Sequence, residues 1–198
     1  MTYELFAALA LFAFVSSITP GPNNLMLMAS GANFGFRLSI PHMLGVALGF
    51  VFMLILVGAG LVQIFDAVPL SYTVLKVASV LYLLYLAWKI ANAGPAEASG
   101  SVGTPMTFLQ AAAFQWVNPK AWAMALTAIS AYTPDQTLGA ILLVGAIFGA
   151  VNLPAVSSWT ILGQQMARFL TNPRRLTLFN WLMALLLVAS LYPVIWPQ

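Results

Sequence analysis

The chain has 198 residues, of which 62% are hydrophobic and 6% are charged, with seven Lys/Arg, four Asp/Glu and one His. About a quarter of the residues of a soluble domain are charged, so this composition excludes a protein with a water-covered surface. The charge-free runs 43–62 and 138–163 are long enough to cross a bilayer as helices. A membrane barrel would instead show alternating segments of about ten residues. The sequence therefore predicts an all-α membrane protein.

Apolar segments follow one another along the whole chain, separated by short linkers rich in Gly, Pro, Asn and Ser. Hydropathy predicts six transmembrane helices. The predicted spans lie near residues 4–30, 40–63, 69–91, 106–131, 137–163 and 175–196. The longest polar stretch, residues 92–104, has the composition of a flexible linker and is too short to be a domain. We therefore expect a single integral membrane domain over residues 1–198.

The basic residues outside the span interiors share one side of this arrangement. The side with the linkers after spans 1, 3 and 5 holds Arg37, Lys89, Arg168, Arg174 and Arg175. The opposite side, with both termini, carries only acidic residues. Because short loops with excess positive charge stay in the cytoplasm, both termini are predicted to lie outside. The basic residues are scattered rather than clustered with aromatic residues, so nucleic acid is not an expected partner.

The first span contains Pro20, Gly21 and Pro22, followed by Asn23 and Asn24. Each proline removes a backbone donor, so this helix should break about midway through the membrane. Non-helical backbone at that depth is tolerated only inside protein or beside a water-filled cavity. The asparagines would begin a helix whose positive end favours a carboxylate, which predicts a substrate-binding segment. The alternative is a kink in which they only cap the helix.

The fourth span repeats this pattern at Asn118 and Pro119, adds Lys120 near its middle, and carries Gln115 one turn earlier. An ionised lysine at the bilayer centre costs upward of ~2.5 kcal/mol unless a cavity or a partner stabilises it. No acidic residue lies within a predicted span, so a substrate carboxylate or backbone carbonyls of the broken helices are the expected partners. Snorkelling to an interface is the alternative.

Two further polar residues lie in or near spans. Asn152, two residues before Pro154 in the fifth span, is expected to face the cavity where the helix is interrupted again. His42 follows Pro41 at the start of the second span, and a lone histidine there is more often an interfacial hydrogen-bonding residue than a proton shuttle.

The two halves of the chain also resemble each other. Gly45 and Gly49 in the second span match Gly145 and Gly149 in the fifth. Glycines four residues apart most often permit close helix packing, which is the role expected for all four. Because three spans separate the matching elements, the second copy must be inverted in the bilayer, giving a three-plus-three repeat with broken helices 1 and 4. The two repeats would be residues 1–97 and 98–198.

Four motifs identify a family resemblance. They are Thr-Pro-Gly-Pro-Asn-Asn at 19–24, Gly-Phe-Arg at 35–37 followed by the two glycines of span 2, Leu-Tyr-Leu through Ala-Trp-Lys at 81–89, and Asn-Pro-Lys-Ala-Trp at 118–122. Together they cover nearly the whole chain and resemble the LysE/RhtB amino-acid exporters of bacterial inner membranes. The resemblance implies efflux of an amino acid or a close derivative, driven by the proton gradient, with no cofactor.

The resemblance also bears on the cargo. Many members of that family have an acidic residue where this chain has Asn23. Nothing acidic in the spans would neutralise a cationic side chain, which argues against lysine or arginine. The Asn-Asn version looks most like the branch that exports cysteine and O-acetylserine, with threonine and homoserine as alternatives. The proton carrier is left open among Lys120, His42 and the substrate amine.

Two other classes of protein were considered. A membrane enzyme would need a nucleophile, an acid–base pair or a metal cluster, and the chain has one His, no Cys and no acidic residue within a span. A membrane subunit or assembly protein without transport activity would carry a mid-span lysine and two broken helices without use. Such a protein should tolerate Lys120→Ala. The sequence leaves open whether the bundle stands alone or forms a homodimer.

Overall fold

The structure is a computed structural model that describes residues 1–93, 104–133, 135 and 137–195. Every regular element in these ranges is helical, which confirms the all-α prediction. Most of the predicted linker at 92–104, and the predicted repeat boundary between residues 97 and 98, lie outside the described residues.

The helices follow one another along the chain with short connections. They are α1 (Tyr3–Ile18), α2 (Pro22–Leu38), α3 (Ile40–Leu56), α4 (Val62–Ala67), α5 (Leu70–Ala91), α6 (Phe108–Phe114), α7 (Pro119–Tyr132), α8 (Leu138–Ala167), α9 (Pro173–Ala189) and α10 (Tyr192–Ile195). A π-helical turn, Val57–Leu61, joins α3 to α4, and a 3-10 turn, Gln115–Val117, follows α6.

Three helices are long and apolar enough to cross a membrane: Ile40–Ala67, Leu70–Ala91 and Leu138–Ala167. The pair α1 and α2, which meet at a bend of 55°, counts as a fourth if it is one broken span. The other two predicted spans differ because α6 and α7 are separate short helices and α9 has only 17 residues. These apolar helices indicate a multi-pass membrane protein.

The long helix α8 differs from the sequence-based expectation. It runs for 30 residues and continues through Pro154, where we predicted an interruption. A proline inside a membrane helix is tolerated when neighbouring helices and side chains stabilise the freed backbone groups. Asn152 therefore lies on a continuous helix, and its side chain is directed by the face of that helix rather than by a break.

The helices α2 and α8 cross with their backbones in direct contact. A Cβ atom built on Gly31 would lie 2.0 Å from the carbonyl oxygen of Thr160, and one built on Gly163 would lie 1.9 Å from that of Met28. Small residues at such crossings let membrane helices approach closely. This reciprocal pair was not predicted. Gly31 has Gly35 four residues later, a spacing that favours close helix packing, whereas Gly163 has no glycine four residues away. The crossing fixes the relative positions of α2 and α8.

The predicted packing glycines of the second span lie against α6 of the same chain. A Cβ atom on Gly45 would lie 2.4 Å from the carbonyl oxygen of Phe108, and one on Gly49 would lie 2.5 Å from the Cα of Ala112. Any larger residue would force α3 and α6 apart.

The matching glycines of α8 have looser surroundings. A Cβ atom on Gly145 would lie 3.5 Å from Ile55, in ordinary van der Waals contact, and one on Gly149 would lie 3.0 Å from Val51. Both neighbours are side chains of α3. The two glycine pairs therefore occupy different environments, backbone for the first and side chains for the second.

An aromatic cluster joins α1, α3 and α8. The ring of Phe148 lies 5.2 Å from that of Phe50 and 5.8 Å from that of Phe12, measured between centroids. Phe50 and Phe148 are among the largest fully buried side chains of the described residues. Tilted and edge-on arrangements of this kind are favourable for aromatic rings. The cluster holds α1 against the bundle, next to the end of α1 where the chain breaks.

Candidate functional site

The chain leaves the helical conformation between α1 and α2. Thr19 has an extended backbone, with φ −64° and ψ 143°, and Gly21 is also extended before Pro22 opens α2. Proline is well tolerated at the first position of a helix because the amide hydrogen there has no intrahelical acceptor. The helical conformation is therefore interrupted at residues 19–21, and the geometry of the interruption follows from the two prolines.

Side chains from α2 and α8 donate hydrogen bonds to the carbonyl oxygens that the break exposes. Asn24 Nδ2 donates to the carbonyl oxygens of Ser17 and Thr19, both at 2.8 Å. Trp159 Nε1 donates to the carbonyl oxygen of Ile18 at 3.0 Å. Unpaired carbonyls at this depth would cost several kcal/mol, on the order of a full desolvation penalty. Both amide hydrogens of Asn24 are thus committed to the backbone.

A second break separates α6 from α7. Asn118 is extended, caps α7 by accepting a hydrogen bond from the backbone nitrogen of Lys120 at 3.1 Å, and is followed by Pro119 at the first helical position. Both breaks thus combine an extended residue with a proline that opens the next helix. Asn118 is buried, with 2% of its surface exposed.

Lys120 joins the two breaks. Its Nζ donates to the carbonyl oxygen of Thr19 at 2.7 Å, to the Thr19 hydroxyl at 2.9 Å and to the carbonyl oxygen of Pro20 at 3.4 Å. None of these partners is a carboxylate. A Cβ atom on Gly21 would lie 2.7 Å from Lys120 Cδ, so the absence of a side chain there lets the lysine stem lie across the break.

Asn23 and Gln115 form a second link between the breaks. Asn23 Nδ2 donates to Gln115 Oε1 at 2.8 Å, and Gln115 Nε2 donates to Asn23 Oδ1 at 3.1 Å. Gln115 is fully buried and also donates to the carbonyl oxygen of Ala111 at 2.9 Å. A reciprocal pair of amides satisfies both side chains, so it holds the start of α2 beside the 3-10 turn.

Asn152 brings an unsatisfied acceptor to the same place. Its Nδ2 donates to Ser17 Oγ at 3.1 Å, whereas its buried Oδ1 has no hydrogen-bond partner among the described residues. Nearly all buried polar atoms in proteins are paired, so an orphaned acceptor needs an explanation. An oxygen of this kind suits a donor that enters from outside the protein.

These residues surround a small cavity between the two breaks. Its volume is about 20 Å³, which is room for one water molecule and not for an amino acid. The Thr19 and Pro20 edge is exposed, whereas the amide side chains beneath it are largely buried. The predicted site residues that line it are Gly21, Asn23, Asn24, Asn118, Lys120 and Asn152. Pro20, Pro22 and Pro119 shape the backbone around it, and Gln115 holds Asn23. The centre of the site is therefore polar and tightly packed in this conformation.

Three residues that contribute to the site were not among the predicted site residues, although backbone carbonyls of the broken helices were expected as partners of Lys120. Ser17 supplies a hydroxyl to Asn152, Thr19 supplies two oxygens to Lys120, and Trp159 binds the end of α1. The polar residues immediately before Pro20 were a usable signal for the first two. Trp159 lies on α8 between Ser158 and Thr160, and nothing in the sequence indicated that it would bind the end of α1.

Comparison with known proteins places the chain in a family. Residues 14–190 match the family model described as LysE type translocator. The chain belongs to the LysE translocator family. It is also 30% identical over 190 residues to a cysteine/O-acetylserine efflux protein of Escherichia coli K12, covering 95% of this chain and 96% of that protein.

Other relatives carry the same name. The cysteine/O-acetylserine efflux protein of Klebsiella pneumoniae is 31% identical over 195 residues, covering 95% of each chain, and that of Shigella sonnei is 30% identical over 190 residues. No solved structure matches the chain. The LysE family assignment confirms the resemblance found in the sequence motifs and indicates a membrane transporter rather than an enzyme.

Proposed function

We propose that this LysE family chain exports a small neutral amino acid or derivative, of the cysteine/O-acetylserine or threonine/homoserine type, by alternating access. The observation that carries the proposal is the contact of Lys120 with Thr19 and Pro20, which joins the two breaks across about a hundred residues of sequence. Transporters typically bind their cargo where discontinuous helices meet. The names of the relatives support the cargo class.

In this proposal the cargo replaces hydrogen bonds that the protein makes within itself at the two breaks. Its carboxylate takes the Lys120 ammonium from the Thr19 carbonyl, near the start of α2, where the helix dipole favours negative charge. Its ammonium donates to Asn152 Oδ1, the unpaired acceptor. Asn23 and Gln115 contact the rest of the cargo once their reciprocal pair opens.

The neutral cargo follows from the charges of the site. The described residues that line the cavity include one cation, Lys120, and no carboxylate. A zwitterion brings a carboxylate to the lysine and leaves no unpaired charge on its own side chain. A cationic side chain would add a second positive charge without a partner in a medium of low dielectric constant.

The architecture we propose has six spans: α1 with α2, Ile40–Ala67, α5, α6 with α7, α8 and α9. The half-helices α2 and α7, each opened by a proline after an extended residue, would be equivalent in an inverted three-plus-three repeat. The domain would be one unit over 1–198, with repeats 1–97 and 98–198. The basic residues of the linkers support an inner-membrane orientation with both termini periplasmic.

Two finer features remain part of the proposal. Export would be coupled to the proton gradient, with the proton carrier open among Lys120, His42 and the substrate amine. Gly45 and Gly49 contact α6 within the chain, so a homodimer would use another surface.

Transport by inside-out membrane vesicles tests the proposal. Vesicles with the wild-type chain should accumulate labelled O-acetylserine, cysteine or threonine when a proton gradient is imposed, and should not accumulate lysine. Lys120→Met should lower accumulation about 10- to 100-fold, because a hydrogen bond to a charged group contributes about 1.5–3 kcal/mol. Lys76→Met, which removes an exposed lysine of α5, is the matched control and should transport normally.

The outcomes separate the parts of the proposal. Accumulation that an uncoupler does not affect would contradict proton coupling alone. Equal transport by Lys120→Met and Lys76→Met would contradict the assignment of the site. A correctly inserted wild-type chain that moves none of the three neutral amino acids would contradict the cargo class.

A further inference from the structure

A second, larger cavity lies further along α2, away from the break. Its volume is about 280 Å³, close to the lower limit of about 300 Å³ for small-molecule sites. It lies between α2, the start of α3 and the end of α5, with Thr104 and Met106 on its remaining side. The polar side chains that line it include Ser30, Asn33, His42 and Lys89. We call it the His42 cavity.

The imidazole of His42 is buried and unpaired within the part of the chain that the structure describes. Its side chain is 2% exposed, and neither ring nitrogen has a hydrogen-bond partner among the described residues. Sequence reasoning expected an interfacial hydrogen-bonding residue here, and the structure instead buries the imidazole at the cavity wall. A neutral imidazole has one donor and one acceptor, and leaving both buried and unpaired is unfavourable. A ligand in the cavity would satisfy them.

Ser30 offers a second acceptor. Ser39 Oγ donates to the carbonyl oxygen of Gly35 at 2.8 Å, and Ser30 and Ser39 share a hydrogen bond of 2.8 Å. Because the hydrogen of Ser39 is already used, Ser30 must be the donor in the shared bond. The oxygen of Ser30 therefore keeps its acceptor capacity, which suits an ammonium group.

The wall also holds a cation and a rigid amide pair. The exposed Lys89 lies at the rim, where its ammonium can meet a carboxylate. Asn33 exchanges hydrogen bonds with the buried Asn180 at 2.9 and 3.3 Å, and Asn180 donates to the carbonyl oxygen of Ala93 at 2.6 Å. The oxygen of Ser30, the ring nitrogens of His42 and the ammonium of Lys89 together match the two charged ends of a zwitterion.

The two cavities lie along the same face of α2. Asn23, Met26, Ser30 and Asn33 follow one another at intervals of three and four residues, so they share one face of α2. Asn23 lines the cavity at the breaks and the other three line the His42 cavity, which makes the buried Met26 the first residue of the second cavity. The same succession occurs on α3, where His42 and Phe50 are separated by roughly 12 Å.

We propose that the His42 cavity is a second binding site for a small zwitterionic amino acid, distinct from the site at the two breaks. The cargo class rests on the proposed function. The ammonium binds Ser30 Oγ and the acceptor nitrogen of His42, and the carboxylate lies toward Lys89. An amino acid held at Ser30 lies about two helical turns of α2 from Asn23 at the break site and passes Met26 to reach it.

Protection from alkylation tests the second site, because the natural chain has no cysteine. Thr104→Cys places a reporter on an exposed residue that lines the His42 cavity, and Thr177→Cys is a matched control on an exposed face of α9. The purified full chain reacts with N-ethylmaleimide with and without O-acetylserine, which has no thiol. O-acetylserine should slow the labelling of Thr104→Cys several-fold and leave Thr177→Cys unchanged.

Two added substitutions identify the site that is read. Protection of Thr104→Cys should persist with Lys120→Met, which disables the break site. It should need about tenfold more O-acetylserine with His42→Ala, and His42→Gln, whose amide retains a donor and an acceptor, should recover most of it. Equal labelling rates without ligand show that each variant is folded around the reporter.

The results separate the second site from the proposed function. No protection, protection that disappears with Lys120→Met, or protection indifferent to His42→Ala would each overturn the second site. Transport of O-acetylserine without protection of Thr104→Cys would contradict the second binding site alone. Protection without transport would support the second binding site and contradict the proposed export function.

Discussion

The crossing of α2 and α8 predicts a graded response to one substitution at three positions of α8. Gly163→Ala places a methyl group where the carbonyl oxygen of Met28 lies 1.9 Å away. A carbon and a carbonyl oxygen approach no closer than about 3.3 Å, so the two backbones must separate by more than about 1 Å. Overpacking in a tight core costs about 1–3 kcal/mol, and a backbone neighbour that cannot rotate away places this variant at the upper end.

The same substitution elsewhere on α8 provides the control. Gly145→Ala meets the side chains of Ile55 at 3.5 Å and Val51 at 3.6 Å, both ordinary contacts, and gains up to about 1 kcal/mol of helix propensity. Gly149→Ala meets Val51 at 3.0 Å and should fall between the two.

Thermal unfolding of the three variants in detergent, followed by circular dichroism, measures the order. A loss of about 2–3 kcal/mol at Gly163 corresponds to a fall in Tm of roughly 4–12 °C. Gly145→Ala should unfold at or slightly above the wild-type temperature. Equal Tm values for Gly163→Ala and Gly145→Ala would refute the backbone contact between α2 and α8.

Two further predictions concern the break site. In a double-mutant cycle, Asn23→Ala and Gln115→Ala should show a coupling free energy of unfolding of about 0.5–1.5 kcal/mol, because each substitution leaves the other amide unpaired. Additive effects on the free energy of unfolding would contradict their reciprocal hydrogen bonds. Gly21→Ala should displace the flexible Lys120 stem, which should lower transport in vesicles several-fold and change the Tm by less than about 2 °C. Unchanged transport would contradict the position of the Lys120 side chain across the break.

Proline chemistry made the breaks predictable. Pro20, Pro22 and Pro119 each remove a backbone donor, so the ends of α1 and the start of α7 followed from local rules. The same rule overstated the effect of Pro154, because tertiary contacts keep α8 helical through it. A local signal thus predicts where a helix is weakened, and the neighbouring helices decide whether it ends.

Partners distant in sequence were the part that could not be predicted. The contact of Gly31 and Gly163 with the opposite backbones depends on how α2 and α8 cross, and the spacing of Gly31 and Gly35 on α2 does not identify α8 as the partner helix. Lys120 was expected to have a substrate carboxylate or backbone carbonyls as partners, and in the structure its ammonium donates to the carbonyl oxygen of Thr19. The choice depended on the approach of α1, which is a property of the whole bundle.

The contact between the Lys120 ammonium and the Thr19 carbonyl has a consequence for how tightly cargo is held. In the proposed cycle an arriving carboxylate competes with an oxygen of the protein itself, so the net free energy of binding is only the difference between the two. These internal hydrogen bonds stabilise the lysine ammonium when no cargo is bound, and they lower the affinity for cargo. A carrier built this way would export a metabolite that is at high concentration and leave one at low concentration in the cell.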